Sequence, residues 1–237
     1  MHSWDLSTGV DGPGTRLVIF LAGCPLRCLY CQNPDTWQGR HGNHTWLNEL
    51  EALMCRYQPF IELSGGGLTL SGGEPLQQPA FARALLAGAK DIGLHTALDT
   101  SAFLGRQADD ALLDATDLVL LDIKAGSDQL HRRLTGRPLA PTLEFAWRLA
   151  SRRQAVWLRY VLVPGYTDDP AEVDRVAETA ASLGNVERVD VLPFHKLGEP
   201  KWRLLGRPFP LESTDVPSRQ LVHETRERFA AHGLVVA

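Results

Sequence analysis

Residues 23–34 read Gly-Cys-Pro-Leu-Arg-Cys-Leu-Tyr-Cys-Gln-Asn-Pro and contain three of the four cysteines of the 237-residue chain. Three residues separate Cys24 from Cys28, and two separate Cys28 from Cys31. Three thiols this close cannot all pair as disulfides, and soft thiolate ligands select iron–sulfur clusters or zinc over hard cations. Three ligands for a four-iron cluster leave one iron without a protein ligand. The spacing therefore predicts a metal centre with an open position, where metal sites do chemistry.

A structural zinc knuckle is the alternative interpretation of the same cysteines. His41 or His44 would then supply the fourth ligand to zinc, and the protein would be a non-catalytic metal-binding regulator. A regulator with a redox-sensing iron–sulfur cluster is a further alternative.

Six short apolar runs alternate with amphipathic patterns along the chain, which indicates parallel strands joined by right-handed crossovers. We expect an α/β fold, an incomplete (βα)6 TIM-like barrel, with a doubly wound sheet as the competitor. The predicted strands lie within residues 17–21, 65–75, 95–100, 118–124, 156–163 and 189–193. The predicted helices lie within residues 45–57, 79–90, 109–115, 142–152, 170–183 and 217–232.

The caps and faces of two predicted helices follow from single residues. In the first helix, Thr45 is the expected N-cap and Cys55 lies opposite the expected buried face, so we treat this cysteine as a spectator. Asp169 and Pro170 are a good N-cap and first helical position, and Gly184 is the expected stop of the same helix. The expected buried face of the first helix consists of Trp46, Leu50, Leu53 and Tyr57.

Polar residues gather where the predicted strands end. In barrel enzymes the carboxyl ends of the strands meet at one mouth, so residues that are distant in sequence can meet at one ligand. This placement favours the barrel over the doubly wound sheet. Besides the cysteines, the residues concerned are Gly72, Gly73, Glu74, Asp99, Thr100, Asp122, Lys124 and His195.

Composition limits the classes of function. The chain has 44% hydrophobic residues, a formal net charge of -4 and no run of like charges, so nothing favours a nucleic-acid partner. No apolar stretch is long enough for a membrane span, and Met1–Gly14 lacks the pattern of a signal peptide. We expect a single domain over residues 1–237 in the cytoplasm, where cysteine ligands stay reduced.

The cysteine spacing with Tyr30 before the third cysteine resembles the signature of the radical S-adenosylmethionine (SAM) family, and Gly72-Gly73-Glu74 resembles its SAM-binding turn. Almost the whole chain is similar to the branch of this family that activates glycyl-radical enzymes. The further motifs that carry the resemblance are Val10–Gly14, Ser64–Gly67, Leu98–Thr100, Leu121–Lys124, Arg159–Val161, Val163–Gly165 and Leu192–His195.

The resemblance implies a [4Fe–4S] cluster on Cys24, Cys28 and Cys31, with SAM bound at the fourth iron. Reductive cleavage of SAM would give a 5′-deoxyadenosyl radical that abstracts a hydrogen atom from a glycine of a partner enzyme. By position, Asp11 would contact the substrate peptide, and Asp99, Thr100 and Asp122 resemble a monovalent-cation site. The implied SAM contacts are Tyr30, Cys31, Gln32, Gly72, Gly73, Glu74, Asp122, Ile123, Lys124 and His195. Gln32 departs from the pattern, since many relatives have histidine there.

The expected partner is a glycyl-radical enzyme. Activators of several such enzymes carry a ferredoxin-like insert with extra cysteines, whereas here Cys55 is the sole cysteine between Gln32 and Ser71. Activators of the anaerobic ribonucleotide reductase are shorter. Both comparisons favour pyruvate formate-lyase, with a related 2-ketoacid lyase as the alternative. The resemblance also implies a donor such as reduced flavodoxin, and we expect a monomer.

Overall fold

The computed structural model describes all residues, 1–237. The seven strands are β1 (Ser3–Thr8), β2 (Thr15–Leu21), β3 (Gly67–Gly72), β4 (His95–Thr100), β5 (Leu118–Asp122), β6 (Ala155–Leu162) and β7 (Val186–Pro193). The eight α-helices are α1 (Leu47–Glu62), α2 (Pro79–Asp91), α3 (Asp110–Asp114), α4 (Asp128–Thr135), α5 (Ala140–Ser151), α6 (Pro170–Leu183), α7 (Glu199–Leu204) and α8 (Arg219–Ala231).

The strands form one sheet in chain order, from β1 to β7. The first pair, β1 and β2, is antiparallel, and β2 with β3, β3 with β4, and β6 with β7 are parallel. A doubly wound sheet reverses its strand order at a switch point, whereas this order never reverses. The strand order is therefore the one expected for the predicted incomplete TIM-like barrel, and the predicted α/β fold with a mostly parallel sheet is confirmed. The edge strand β1 was not predicted, because its sequence SWDLST has no apolar run.

Residue contacts divide the chain into two compact units. Unit 1 comprises Met1–Pro25, Thr36–Thr100 and Leu104–Leu120, and unit 2 comprises Leu26–Asp35, Ser101–Phe103 and Leu121–Ala237. The strand β5 contributes residues to both. A single domain over residues 1–237 stays a prediction.

Unit 1 is built on the buried strands β2 and β3, which α1 and α2 cover. Helix α1 begins one residue later than expected, with Trp46 as its N-cap. The Glu49 carboxylate accepts a hydrogen bond from the Trp46 amide at 3.0 Å, which fixes this start. The prediction of Thr45 as the cap is therefore wrong. The buried face of α1 is Leu50, Met54 and Ile61, while Trp46 is 64% exposed. Cys55 is exposed, as expected for the opposite face.

Unit 2 packs α6 and α8 together and pairs β6 with β7. Asp169 caps α6 by accepting the Ala171 amide at 2.8 Å, and Gly184 ends the helix with a φ of +70°, so both predictions are confirmed. The Tyr160 and Phe229 rings meet edge to face in its core. Helices α4 and α7 were missed, because α4 is strongly polar and α7 has only six residues. None of the helices combines the length and apolar character that a membrane crossing requires.

Candidate active site

The amino-terminal part of the cysteine loop is held in unit 1 by the turn after β3. Gly23 accepts the Glu74 amide at 2.8 Å and donates its own amide to Thr36 at 2.6 Å. A Cβ added to Gly73 would lie 2.2 Å from the Gly23 carbonyl oxygen, so only glycine fits there. The amide of Cys24 donates to Trp37 at 3.1 Å. The two motifs that the sequence pairs, Cys24 and Gly72-Gly73-Glu74, are thus neighbours through backbone hydrogen bonds.

The carboxyl-terminal part of the cysteine loop is held in unit 2 by the end of α4. The amides of Arg27 and Leu29 donate to the carbonyls of Thr135 and Leu134, at 2.8 and 2.9 Å. Cys28 is buried, and its carbonyl accepts the Cys31 amide at 3.1 Å. This docking gives α4 a role that its polar sequence did not suggest.

The donor set fits an iron–sulfur cluster. None of the four cysteines forms a disulfide, and Cys55 is exposed on α1. Burial raises the pKa of Cys28, although the charges of Lys124 and Arg27 oppose this. Because metal ligation needs the thiolate, cluster assembly must remove a proton from this thiol.

The zinc alternative finds no support in the positions of the side chains. No three His, Cys, Asp or Glu side chains come together closely enough to hold one metal ion. A zinc ion needs its ligands around one point, whereas thiolates of a four-iron cluster bind different irons. His44 packs its ring against Trp46 at 4.6 Å.

Three predicted residues of unit 1 form side-chain hydrogen bonds at the ends of β3 and β4. Glu74 is fully buried and accepts the Thr100 hydroxyl at 2.7 Å and the Leu76 amide at 3.1 Å. Asp99 accepts the Ser71 hydroxyl at 2.5 Å. Their contacts with SAM or with a cation, which would include Asp122, stay predictions.

Asp122 and Lys124 form an ion pair at the end of β5, with Nζ and Oδ2 3.0 Å apart. Burial alone would lower the pKa of Lys124, but the Asp122 carboxylate raises it well above the ordinary value. The ammonium therefore keeps its charge at neutral pH. Ile123, between the two, is buried.

Tyr30 carries a polar atom without a partner next to this pair. Its hydroxyl is buried and makes no hydrogen bond, and Lys124 Nζ lies 5.8 Å from the centre of its ring. Burial raises the pKa of Tyr30, so its phenol remains protonated. A charged pair beside an unpaired phenol can receive a ligand that is rich in polar groups, and SAM fits this description.

Gln32 and His195 meet in unit 2, although not through two side chains. The Gln32 side-chain amide donates to the His195 carbonyl at 2.9 Å and to the Tyr30 carbonyl at 3.1 Å. Its oxygen accepts the Gly198 amide at 2.7 Å. The His195 ring is exposed, with Nδ1 3.4 Å from the Leu197 amide. Contacts of either side chain with SAM stay predictions.

Two groups of residues near these motifs were missed in the sequence. Trp202 on α7 donates its indole N–H to the Cys31 carbonyl at 2.9 Å, and Lys201 donates to Asn33 at 2.7 Å. In unit 1, Arg16 and Thr69 lie behind the turn that carries Asp11. Arg16 gave a signal in the sequence, since a charged residue directly precedes the apolar run 17–21.

Comparisons with known proteins identify the family of this chain. The radical SAM superfamily profile matches residues 18–177. The pyruvate formate-lyase 1-activating enzyme of Escherichia coli (strain K12) is 40% identical over 98% of this chain and 96% of its own. The pyruvate formate-lyase-activating enzyme of Staphylococcus aureus (strain USA300) is 43% identical over 94% and 91%.

A solved structure shares the fold. Streptococcus suis SuiB bound to precursor peptide SuiA has a TM-score of 0.71 at 14% identity, over 96% of this chain and 49% of SuiB. This likeness concerns the fold alone.

A cysteine loop beside a glycine turn on an incomplete barrel, together with the match over residues 18–177, defines a radical SAM enzyme, which uses a [4Fe–4S] cluster and SAM. Within that superfamily, the chain belongs to the family of pyruvate formate-lyase-activating enzymes.

Proposed function

We propose that this enzyme introduces a glycyl radical into pyruvate formate-lyase, and that Cys24, Cys28 and Cys31 hold its cluster. The observation that carries the proposal is identity of 40 and 43% to two activating enzymes over more than nine-tenths of each chain. The cysteine spacing and the lack of a disulfide among these cysteines support the ligand assignment.

When bound, a cluster on Cys24, Cys28 and Cys31 would pass one electron from an external donor to SAM, giving methionine and a 5′-deoxyadenosyl radical. This radical would take a hydrogen atom from the partner's glycine, giving 5′-deoxyadenosine and a glycyl radical. The residues of the chain bind and orient SAM and the substrate, and they exclude water from the site. Lys124 offers a permanent positive charge for a carboxylate, and Asp122 offers an acceptor for hydroxyl groups. The Tyr30 hydroxyl offers a donor that no protein group uses.

The turn after β3 has a positioning role in the same proposal. The amides of Gly73 and Glu74 donate to Leu21 and Gly23, both at 2.8 Å, and this fixes the backbone just before Cys24. Glu74 is held in turn by Thr100. If Gly72, Gly73 or Glu74 contacts SAM, these hydrogen bonds hold the turn in place before SAM binds.

The remaining assignments are part of the proposal and rest on the family. They are reduced flavodoxin as the one-electron donor, a monovalent cation at Asp99, Thr100 and Asp122, a substrate contact from Asp11, a monomeric state and a cytoplasmic location. SAM contacts from Gln32, Ile123, Cys31 and His195 belong to the same group.

Anaerobic reconstitution tests the ligands and the chemistry together. We expect a brown protein with about four irons per chain, which releases 5′-deoxyadenosine when SAM and dithionite are added. Replacement of Cys24, Cys28 or Cys31 by alanine removes the colour and the product, whereas Cys55→Ala is the matched control and keeps both. A colourless zinc protein, or a cluster without SAM cleavage, contradicts the proposal. Activation of a different glycyl-radical enzyme would keep the chemistry and change the partner.

A further inference from the structure

The turn that carries Asp11 packs, at its end, against Ser64 and Gly66, which lie just before β3. This turn, residues 9–14, joins β1 to β2. A Cβ on Gly66 would lie 1.8 Å from the Thr15 carbonyl oxygen, and one on Gly14 would lie 2.5 Å from the Ser64 carbonyl oxygen. The Thr15 amide donates to Ser64 Oγ at 2.8 Å. The sequence did not reveal the role of the Ser64–Gly67 motif. In the structure, its small residues allow the backbone at the end of the turn to approach closely.

A buried arginine holds the turn from the other side. Arg16 is fully buried, and its Nε donates to Thr69 Oγ1 at 2.9 Å. Thr69 Oγ1 in turn donates to the Asp11 carbonyl at 2.7 Å. A hydroxyl has one hydrogen to donate, so the bond from Arg16 directs that hydrogen to Asp11. Arg16, Thr69 and Asp11 thus form a relay of two hydrogen bonds, in which the backbone of the turn is the last acceptor.

The position of Arg16 is fixed by neighbouring strands. It pairs in register with Gly67, which pairs in register with His95. Arg16 Nη2 donates to the Leu68 carbonyl at 2.5 Å, and Arg16 Nη1 lies 3.1 Å from His95 Nδ1. A Cβ on Gly67 would come within 2.5 Å of that nitrogen. The glycine therefore makes the space that the guanidinium occupies.

Burying the charged Arg16 guanidinium costs desolvation free energy. Burial lowers the pKa of Arg16 to about 10, with the charges of Asp117 and Asp11 opposing this, so the group stays charged at neutral pH. Apolar residues of similar volume are often at least as stabilising as a buried charge, so such a charge is weak evidence for stability. The buried guanidinium is better explained by the conformation of the turn that it specifies.

We propose that Arg16 and Thr69 are positioning residues for the protein substrate, which fix the turn so that Asp11 faces the incoming glycine loop. The inference rests on the proposed function, which gives Asp11 the substrate contact. Val10, the neighbour of Asp11, is 58% exposed, so the turn is open to a peptide chain. The occupant is an extended, glycine-containing peptide segment of the partner enzyme.

Thr69→Val tests the relay, because it keeps the shape of the side chain and removes its hydroxyl. We expect the KM for a glycine-loop peptide of pyruvate formate-lyase to rise about tenfold, as for the loss of a buried hydrogen bond. SAM affinity, and 5′-deoxyadenosine release without peptide, should not change. Thr225→Val is the control, since that threonine is also buried but donates to the Leu221 carbonyl of its own helix, at 2.8 Å.

A double-mutant cycle separates positioning from general destabilisation. If Thr69 acts through Asp11, then Thr69→Val has no further effect on peptide KM in the Asp11→Ala background. Additive effects, or equal losses of SAM cleavage and peptide use, overturn the proposal.

Hydrogen exchange makes the relay testable without the partner. In the metal-free protein, Thr69→Val should speed exchange of the amides in residues 9–14 about tenfold, and Thr225→Val should not. Unchanged exchange overturns the relay. If Thr69→Val speeds exchange but the wild-type enzyme does not use the peptide, the hydrogen-bond relay stands. The assignment of pyruvate formate-lyase as the partner is then wrong.

Discussion

The indole N–H of Trp202 donates to the carbonyl oxygen of Cys31 at 2.9 Å, so the short helix α7 is attached to the third predicted cluster ligand. Gln32, the next residue, is bound to the His195 carbonyl and to the Gly198 amide. A Cβ on Gly198 would lie 2.7 Å from the Gln32 Cα, which shows how closely the two segments approach. The segment after β7 therefore holds the end of the cysteine loop. Gln32, the departure from the family pattern, uses its side-chain amide for this attachment.

Trp202→Phe should loosen Cys31 without emptying the core. The phenylalanine keeps an aromatic ring near Phe209, whose ring centre lies 5.7 Å from that of Trp202, but cannot donate to Cys31. We expect iodoacetamide to alkylate Cys31 several-fold faster in the metal-free variant, about the effect of 1 kcal/mol of lost hydrogen bonding. Mass spectrometry of the labelled peptide measures this. Trp147→Phe, at a half-exposed tryptophan, should leave the rate unchanged.

Gly73→Ala should prevent cluster assembly, because its Cβ would overlap the Gly23 carbonyl oxygen at 2.2 Å and push the backbone away before Cys24. Iron content after anaerobic reconstitution checks this. Gly88→Ala is the control, since its Cβ would make only ordinary contacts, at 3.6 Å or more, inside helix α2, where alanine is preferred by about 1 kcal/mol. Full iron loading of Gly73→Ala would show that the glycine turn does not position the loop.

Lys124→Gln should weaken SAM binding by about ten- to a hundredfold while the cluster stays in place, because a charged hydrogen bond is worth about 1.5–3 kcal/mol. Equilibrium dialysis with the reconstituted protein measures the affinity, and its colour reports the cluster. Lys90→Gln is the matched control, because Lys90 pairs with Asp117 on the surface of unit 1. An unchanged affinity in Lys124→Gln removes this residue from the SAM site.

His131 should make the fold sensitive to acid. It is almost fully buried on α4 with Nδ1 2.8 Å from the Arg137 carbonyl, and burial lowers its pKa. A lowered pKa in the folded state means that the neutral ring stabilises the fold above the ordinary pKa of 6.5, and that this stability is lost as the pH falls through the folded value. Urea unfolding should show wild type losing more stability between pH 7.5 and 5.5 than His131→Gln does. The exposed His223→Gln should behave like wild type.

The sequence was sufficient wherever neighbours in the chain determine the structure. The parallel strands, the Asp169 cap and the Gly184 stop follow from local patterns. The three cysteines as cluster ligands stay a prediction, which rests on their spacing. Contacts between distant residues were not predictable. Trp202 reaches Cys31 across 171 positions, and Arg16 reaches Thr69 across 53, so no periodicity links them. The cap of α1 moved because the Glu49 carboxylate, three residues on, accepts the amide of Trp46.

The electron paramagnetic resonance spectrum of the partner tests the central claim most directly. Pyruvate formate-lyase is incubated without oxygen with the reconstituted, reduced enzyme and SAM, and in parallel with the Cys28→Ala variant. The account predicts a glycyl-radical doublet with the wild type, formed together with 5′-deoxyadenosine, and no signal with the variant. A lyase that stays silent while the same sample releases 5′-deoxyadenosine, or while another glycyl-radical enzyme acquires the doublet, would contradict it.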